Sequence, residues 1–178
     1  MASVYVITGS PGIGKTTALV KLIKMLKNSG VEVDGFYSVE VKERGERKGF
    51  SFVDIRTGDT VELASVNGDG IRFGRYRVKI KNIDDFVPWV IKRAAEYSKV
   101  IVIDEIGPME LFSNSFRKAV GDLLKTDKVI IAVVHKSFSH DLMKEVLKSA
   151  KAKIEVTESN RDEIPEQLFQ MLKSEHVF

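Results

Sequence analysis

A chain of 178 residues, 43% apolar and 30% charged, can bury one continuous core without disulfides or a structural metal. No apolar run approaches the roughly 18 residues that cross a bilayer, which excludes a helical membrane protein, and the absence of cysteine excludes disulfides, thiolate zinc sites and cysteine nucleophiles, leaving hard-cation chemistry as the metal option. A formal charge of +3, with Lys and Arg spread along the chain, is too mild and too even to mark a nucleic-acid footprint.

The segment Met1 to Ile7 runs directly into an apolar strand with neither a basic segment nor a small-residue cleavage site, so no secretory signal and a cytoplasmic location are expected. Val4 to Ile7 is continuously apolar and β-branched, as are Val100 to Ile103 and Val129 to Val134; such runs are expected of central parallel strands with helices on both faces. Leu19, Leu22, Ile23 and Leu26 share one face of a helix expected from about Gly14 to Ser29, closed by Gly30. From Val31 to Ile80 the chain holds β-rich pieces divided by Gly, Asp and Asn turns, read as antiparallel strands extending the sheet. Within it, the charged segment Lys42 to Gly49 reads as a solvent-exposed hairpin. Asp84 and Asp85 are expected to cap the next helix, with Pro88 in its first turn. Phe116, Ala119, Val120, Leu123 and Leu124 mark a third helix, and further helices are expected over Asp141 to Ser149 and Asp162 to Lys173. The class is α/β. With no internal repeat and no linker, one domain over residues 1–178 with a β-rich insertion at about 31–80 is expected, acting as a monomer.

Gly9-Ser10-Pro11-Gly12-Ile13-Gly14-Lys15-Thr16 fits the phosphate-loop pattern of Gly, four residues, Gly-Lys-Ser/Thr, and it lies between an expected strand and an expected helix. Its backbone N–H groups and the helix N-terminus suit phosphate oxygens. Lys15 would reach the β- and γ-phosphates, the Thr16 hydroxyl would ligate Mg²⁺, and the nucleotide-contacting stretch is expected to run from Thr8 to Thr17. The second acidic element is Val100-Ile101-Val102-Ile103-Asp104-Glu105, an apolar strand ending in two carboxylates. Asp104 is the expected second Mg²⁺ partner and Glu105 the expected base for the attacking water. Asp104-Glu105-Ile106-Gly107 also matches the Asp-x-x-Gly pattern of small GTPases, which adds Ile106 and Gly107 to the nucleotide-contacting set, but no Asn-Lys-x-Asp sequence follows to read guanine. Loose base selectivity is therefore expected.

Carried on these motifs and on Asp34-Gly35-Phe36-Tyr37, Gly49-Phe50, Arg75-Tyr76, Met109-Glu110-Leu111-Phe112, Thr157 and Asn160-Arg161, the chain resembles the thermophilic nucleoside-triphosphatase family over nearly its whole length. That family includes a vertebrate member known as cancer-related nucleoside-triphosphatase. The resemblance implies a RecA-like P-loop fold and slow, Mg²⁺-dependent release of phosphate from ATP, GTP, CTP, UTP and TTP, with weaker action on diphosphates.

Several residues stand aside from the main assignment. Glu110 competes with Glu105 for the base role and ranks behind it. Arg161 could lie against a base or a phosphate, Arg75 is the best of Arg72, Arg75 and Arg77 for transition-state charge, and His135 ends the third apolar strand where a γ-phosphate sensor would sit. Trp89 and the ten phenylalanines read as core. Two other functions use the same loop: a nucleotide or small-molecule kinase, which must exclude water from the γ-phosphate, and a nucleotide-dependent switch acting on a partner or RNA. Nucleoside triphosphates are the expected ligands, with no membrane or nucleic-acid partner.

Overall fold

β-branched runs shielded from water on both faces need helices above and below, and the chain supplies them in alternation. The computed structural model describes all 178 residues. In chain order they form β1 (Ser3–Gly9), α1 (Lys15–Asn28), β2 (Val33–Glu43), β3 (Glu46–Asp54), β4 (Thr60–Ser65), β5 (Ile71–Phe73) and β6 (Tyr76–Val78). There follow α2 (Ile80–Tyr97), β7 (Val100–Ile106), a short 3₁₀ turn (Glu110–Phe112), α3 (Asn114–Leu124), β8 (Val129–Val134), α4 (Asp141–Lys148), β9 (Ala150–Val156) and α5 (Ile164–Ser174). The nine strands form one sheet in the order β5-β6-β4-β3-β2-β7-β8-β1-β9. The half running β2-β7-β8-β1-β9 is parallel and the remainder antiparallel. β8 lies between β1 and β7, the arrangement of a RecA-like P-loop sheet, and all three strands deliver their C-terminal ends to one edge. In open α/β sheets that edge is where ligands bind.

Alternate residues of the same strands feed two cores. Val4, Val6, Ile101, Ile103, Ile130 and Ala132 pack under α2, α3 and α4, while Tyr5, Ile7, Val100, Val102, Ile131 and Val133 pack under α1 and α5. No helix is long and apolar enough to cross a membrane.

Four expectations need correction. α2 opens at Ile80, so Asp84, Asp85 and Pro88 all lie inside it. Its apolar stripe of Ile83, Phe86, Val87, Val90, Ile91 and Ala94 outweighs the cost of a mid-helix proline, about 3 kcal/mol. Asp84 instead accepts a hydrogen bond from Ser113 Oγ, whose side chain caps α3, and Asp85 pairs with Lys81. β9 was not anticipated, although Ala150, Ala152, Ile154 and Val156 alternate with Lys151, Lys153 and Glu155 as a strand should. β2 pairs in parallel with β7, so the antiparallel extension begins only at β3. Trp89 is exposed, with the guanidinium carbon of Arg93 over its ring 4.7 Å from the centroid, and Phe73, Phe112, Phe138 and Phe178 are also exposed.

The β2–β3 hairpin closes through Arg44 and Gly45, both at positive φ, which fits a tight two-residue turn matched to strand twist. A buried ion network fixes the base of the hairpin. Arg93 of α2 donates to Asp34 through Nε (2.9 Å) and Nη2 (2.6 Å), and to Asp54 through Nη1 (2.9 Å) and Nη2 (2.8 Å).

Candidate active site

β1 ends at Gly9, and α1 begins at Lys15. Gly14 caps the helix at φ 114, a left-handed conformation that a side chain would oppose, and no side chain caps the helix. The first N–H groups of α1 are thus left for a ligand, and the helix dipole favours an anionic one. Lys15 folds back over the loop, with Nζ donating to the carbonyl oxygens of Gly9 (2.8 Å) and Ser10 (3.1 Å). Burial pulls the Lys15 amine below its ordinary range, against the opposing influence of Glu105 and Asp104.

The acidic pair at the end of β7 reaches the same place. Thr16 Oγ1 donates to Asp104 Oδ2 at 2.7 Å, and Ser38 Oγ of β2 holds the Asp104 carbonyl at 2.8 Å. Asp104 is 3% exposed. Burial pushes its carboxyl up to about 7; Glu105 adds to the rise, and the hydrogen bond from Thr16 opposes it. A hydroxyl and a buried carboxylate in contact, with no ion-pair partner for the carboxylate, form a hard-oxygen donor pair that a divalent cation such as Mg²⁺ would complete together with phosphate oxygens and water. Burial also raises the Glu105 carboxyl, while His135 and Lys15 favour its ionised form. His135 follows β8, donating its backbone N–H to the Ile106 carbonyl at 3.2 Å and accepting the Ser137 N–H on Nδ1 at 3.2 Å.

A cleft of about 580 Å³ joins these groups, within the size range of small-molecule sites. Gly9, Pro11, Gly12, Gly14, Lys15, Thr16, Thr17, Asp104, Glu105 and His135 line it. The side chains of Thr8, Ile13 and Ile106 do not: Thr8 Oγ1 donates to the Val134 carbonyl at 3.1 Å, Ile13 packs on the α1 and α5 core, and Ile106 is fully buried. Ser10 and Gly107 likewise stand outside the lining. Arg161 lies over the opposite end of the loop, with Nη1 3.4 Å from the Ile13 carbonyl. Arg75 is directed away, donating to the Arg47 carbonyl at 2.5 Å and pairing with Glu46.

Sequence reasoning missed the far wall. Val39 and Glu40 from the far end of β2, with Arg47, Phe50, Leu63, Phe73 and Tyr76 from the antiparallel half, line the same cleft. Phe50 and Tyr76 meet edge to face at 5.3 Å, Arg47 stands over Phe50, and Arg47 Nη2 donates to Glu40 Oε1 at 2.6 Å. The hairpin is solvent-exposed as expected, but its inner face is a cleft wall. The signal within reach was the pair of strings Gly49-Phe50 and Arg75-Tyr76, each putting an aromatic side chain on a strand beside a turn.

A family model described as "NTPase" matches residues 4–169. The nucleoside-triphosphatase THEP1 of Thermofilum pendens is 41% identical over 173 residues, covering 96% of this chain and 95% of that protein. The THEP1 of Methanosarcina acetivorans is 39% identical over 163 residues, covering 91% of this chain and 92% of its own. Among solved structures, crystalline THEP1 from the hyperthermophile Aquifex aeolicus superposes with a TM-score of 0.82 at 31% identity, covering 95% of this chain and 98% of its own. The solution structure of a human cancer-related nucleoside triphosphatase gives 0.81 at 33% identity, covering 97% and 98%.

Proposed function

The chain belongs to the NTPase family, and from that membership and the geometry of the cleft we propose that it hydrolyses nucleoside triphosphates to the diphosphate and inorganic phosphate with Mg²⁺ and little regard for the base. The observation that carries this reading is the Thr16–Asp104 contact at 2.7 Å, which ties the phosphate loop to the acidic strand with Glu105 beside it.

In this mechanism the N–H groups of Gly12 to Thr17 hold the phosphates, and Lys15 exchanges the Gly9 and Ser10 carbonyls for β- and γ-phosphate oxygens. Thr16 and Asp104 would hold Mg²⁺, which neutralises charge developing on the phosphate oxygens. Glu105, whose ionised form His135 and Lys15 favour against the effect of burial, takes a proton from water. The water oxygen bonds to the γ-phosphorus, the bond from that phosphorus to the bridging oxygen breaks, and the diphosphate leaves. Diphosphates would be poorer substrates, since they lack the group that Lys15 and Glu105 flank together. No Asn-Lys-x-Asp sequence is present to read guanine, which supports action on ATP and GTP alike.

Phosphate release from ATP and from GTP, with Mg²⁺ and no acceptor, tests the reading. The native chain should release phosphate from both, chelation of Mg²⁺ should stop it, and Lys15→Ala should lower kcat/KM by about 10²-fold or more. Release seen only after a hydroxyl acceptor is added would replace hydrolysis by transfer. One observation favours that second reading, a small-molecule kinase: the cleft continues past Glu105 to the Phe50–Tyr76 wall, where an acceptor could lie.

A further inference from the structure

Glu110 opens the 3₁₀ turn after β7 and is 3% exposed, yet it belongs to the lining of the phosphate cleft. Its Oε2 is the one buried side-chain nitrogen or oxygen in the chain with no hydrogen-bond partner. Buried polar groups are almost always paired, so an unpaired one beside a reaction centre calls for a reason. Gly107 supplies a ruler. The point where a Cβ on Gly107 would stand is 3.0 Å from Glu105 Oε1 and 3.4 Å from Glu110 Oε2, so the two carboxyls flank the same small space. Burial, with Glu105 and then Asp104 adding to it, pushes the Glu110 carboxyl well above its ordinary value. An acid oxygen shielded from water and without a hydrogen-bond partner is held neutral, so Glu110 is placed to keep its proton. A carboxyl that already holds a proton cannot take one from water, but it can donate a hydrogen bond.

We infer that Glu110 is a positioning residue for Glu105: with nucleotide bound, its O–H donates to one oxygen of the Glu105 carboxylate and turns the other toward the attacking water. The inference rests on the hydrolase reading above. Hydrogen bonds of catalytic groups commonly tighten only in the substrate complex, in keeping with a donor that has no partner before substrate arrives. A neutral donor also spares the cleft a third buried negative charge next to Asp104 and Glu105.

Glu110→Gln and Glu110→Leu, run beside the native chain, test it. Gln keeps a donor at the same reach and should hold kcat for ATP within about threefold, whereas Leu should lower kcat by about 10- to 100-fold, the worth of a hydrogen bond to a charged group. Both variants should bind a non-hydrolysable ATP analogue as the native chain does, and Leu should melt no lower, because it removes a buried acid with an unpaired oxygen. Full activity in Glu110→Leu would overturn the inference. So would a Gln variant as slow as Leu, which would make the carboxyl itself the base, or a parallel loss of binding and kcat, which would make Glu110 structural. If Leu fails to fold, the Gln variant still decides between donor and base. A native chain that releases no phosphate sinks the hydrolase reading and this inference with it; a native chain that turns over while Leu matches it sinks only the latter.

Discussion

Glu105→Gln should bind ATP as tightly as the native chain and release phosphate about 10²- to 10⁴-fold more slowly, the range for loss of a positioned general base. The amide keeps the shape of the side chain and cannot take the proton, so the loss should fall on kcat and spare the dissociation constant. Binding should persist because the phosphate contacts come from elsewhere: the N–H groups at the head of α1, Lys15, and the Thr16–Asp104 pair. Single-turnover release from ATP, set beside equilibrium binding of a non-hydrolysable analogue, separates the two quantities. Glu105→Gln turning over at the native rate would remove Glu105 as the base.

Arg93→Ala should cost about 3–5 kcal/mol of stability, the usual price of removing one partner from a buried ion network. Asp54 would be left as a buried carboxylate without a counter-charge and Asp34 with only Arg56, 3.8 Å away, at 4% and 1% side-chain exposure. For a chain of this size the melting temperature should fall by roughly 10 °C. The network also predicts a pH dependence. Burial alone would raise the Asp54 carboxyl, but hydrogen bonds from Arg93 and from the Thr57 and Arg56 N–H groups outweigh it and hold the group below its ordinary 3.8. A depressed folded-state value means that the unfolded chain binds more protons, so this contribution is present at neutral pH and is lost as pH falls below about 4. Urea midpoints at pH 7 and pH 3 should therefore drop for the native chain and drop less for Arg93→Ala. Equal slopes in the two proteins would remove Asp54 from the account.

The parts of the site legible in the sequence are those written in consecutive residues. The phosphate loop and the Asp104-Glu105 pair each follow a buried strand directly, so local pattern and strand end coincide. The Arg93 network could not be read this way: an arginine on a helix ordinarily lies at the surface, and its partners Asp34 and Asp54 lie far off in sequence on other strands. The cleft wall was hidden for the same reason, because Arg47, Phe50 and Tyr76 reach the loop only through the pairing of β2, β3, β4 and β6. α2 was misplaced because Asp84 and Asp85 resemble a cap when Ser113, the partner that occupies Asp84, is out of view. Arg72, Arg75 and Arg77 draw attention in the sequence by their proximity to one another, a criterion blind to which face of a hairpin a side chain takes, and Arg47 on the cleft wall carries no such signal.

The seating of β1 between β8 and β9 bears on how the chain acquires its activity. Hairpin pairings such as β2–β3 join neighbours in sequence and can form early, whereas β1 finds both its partners more than a hundred residues downstream. Closing so long a loop is slow, and contacts of this kind set the pace of folding. The strand that carries the phosphate loop is thus made early and paired late. During refolding, secondary structure in the antiparallel half should appear before any protection of the chain by nucleotide, and the capacity to bind ATP should arise together with the final parallel pairings.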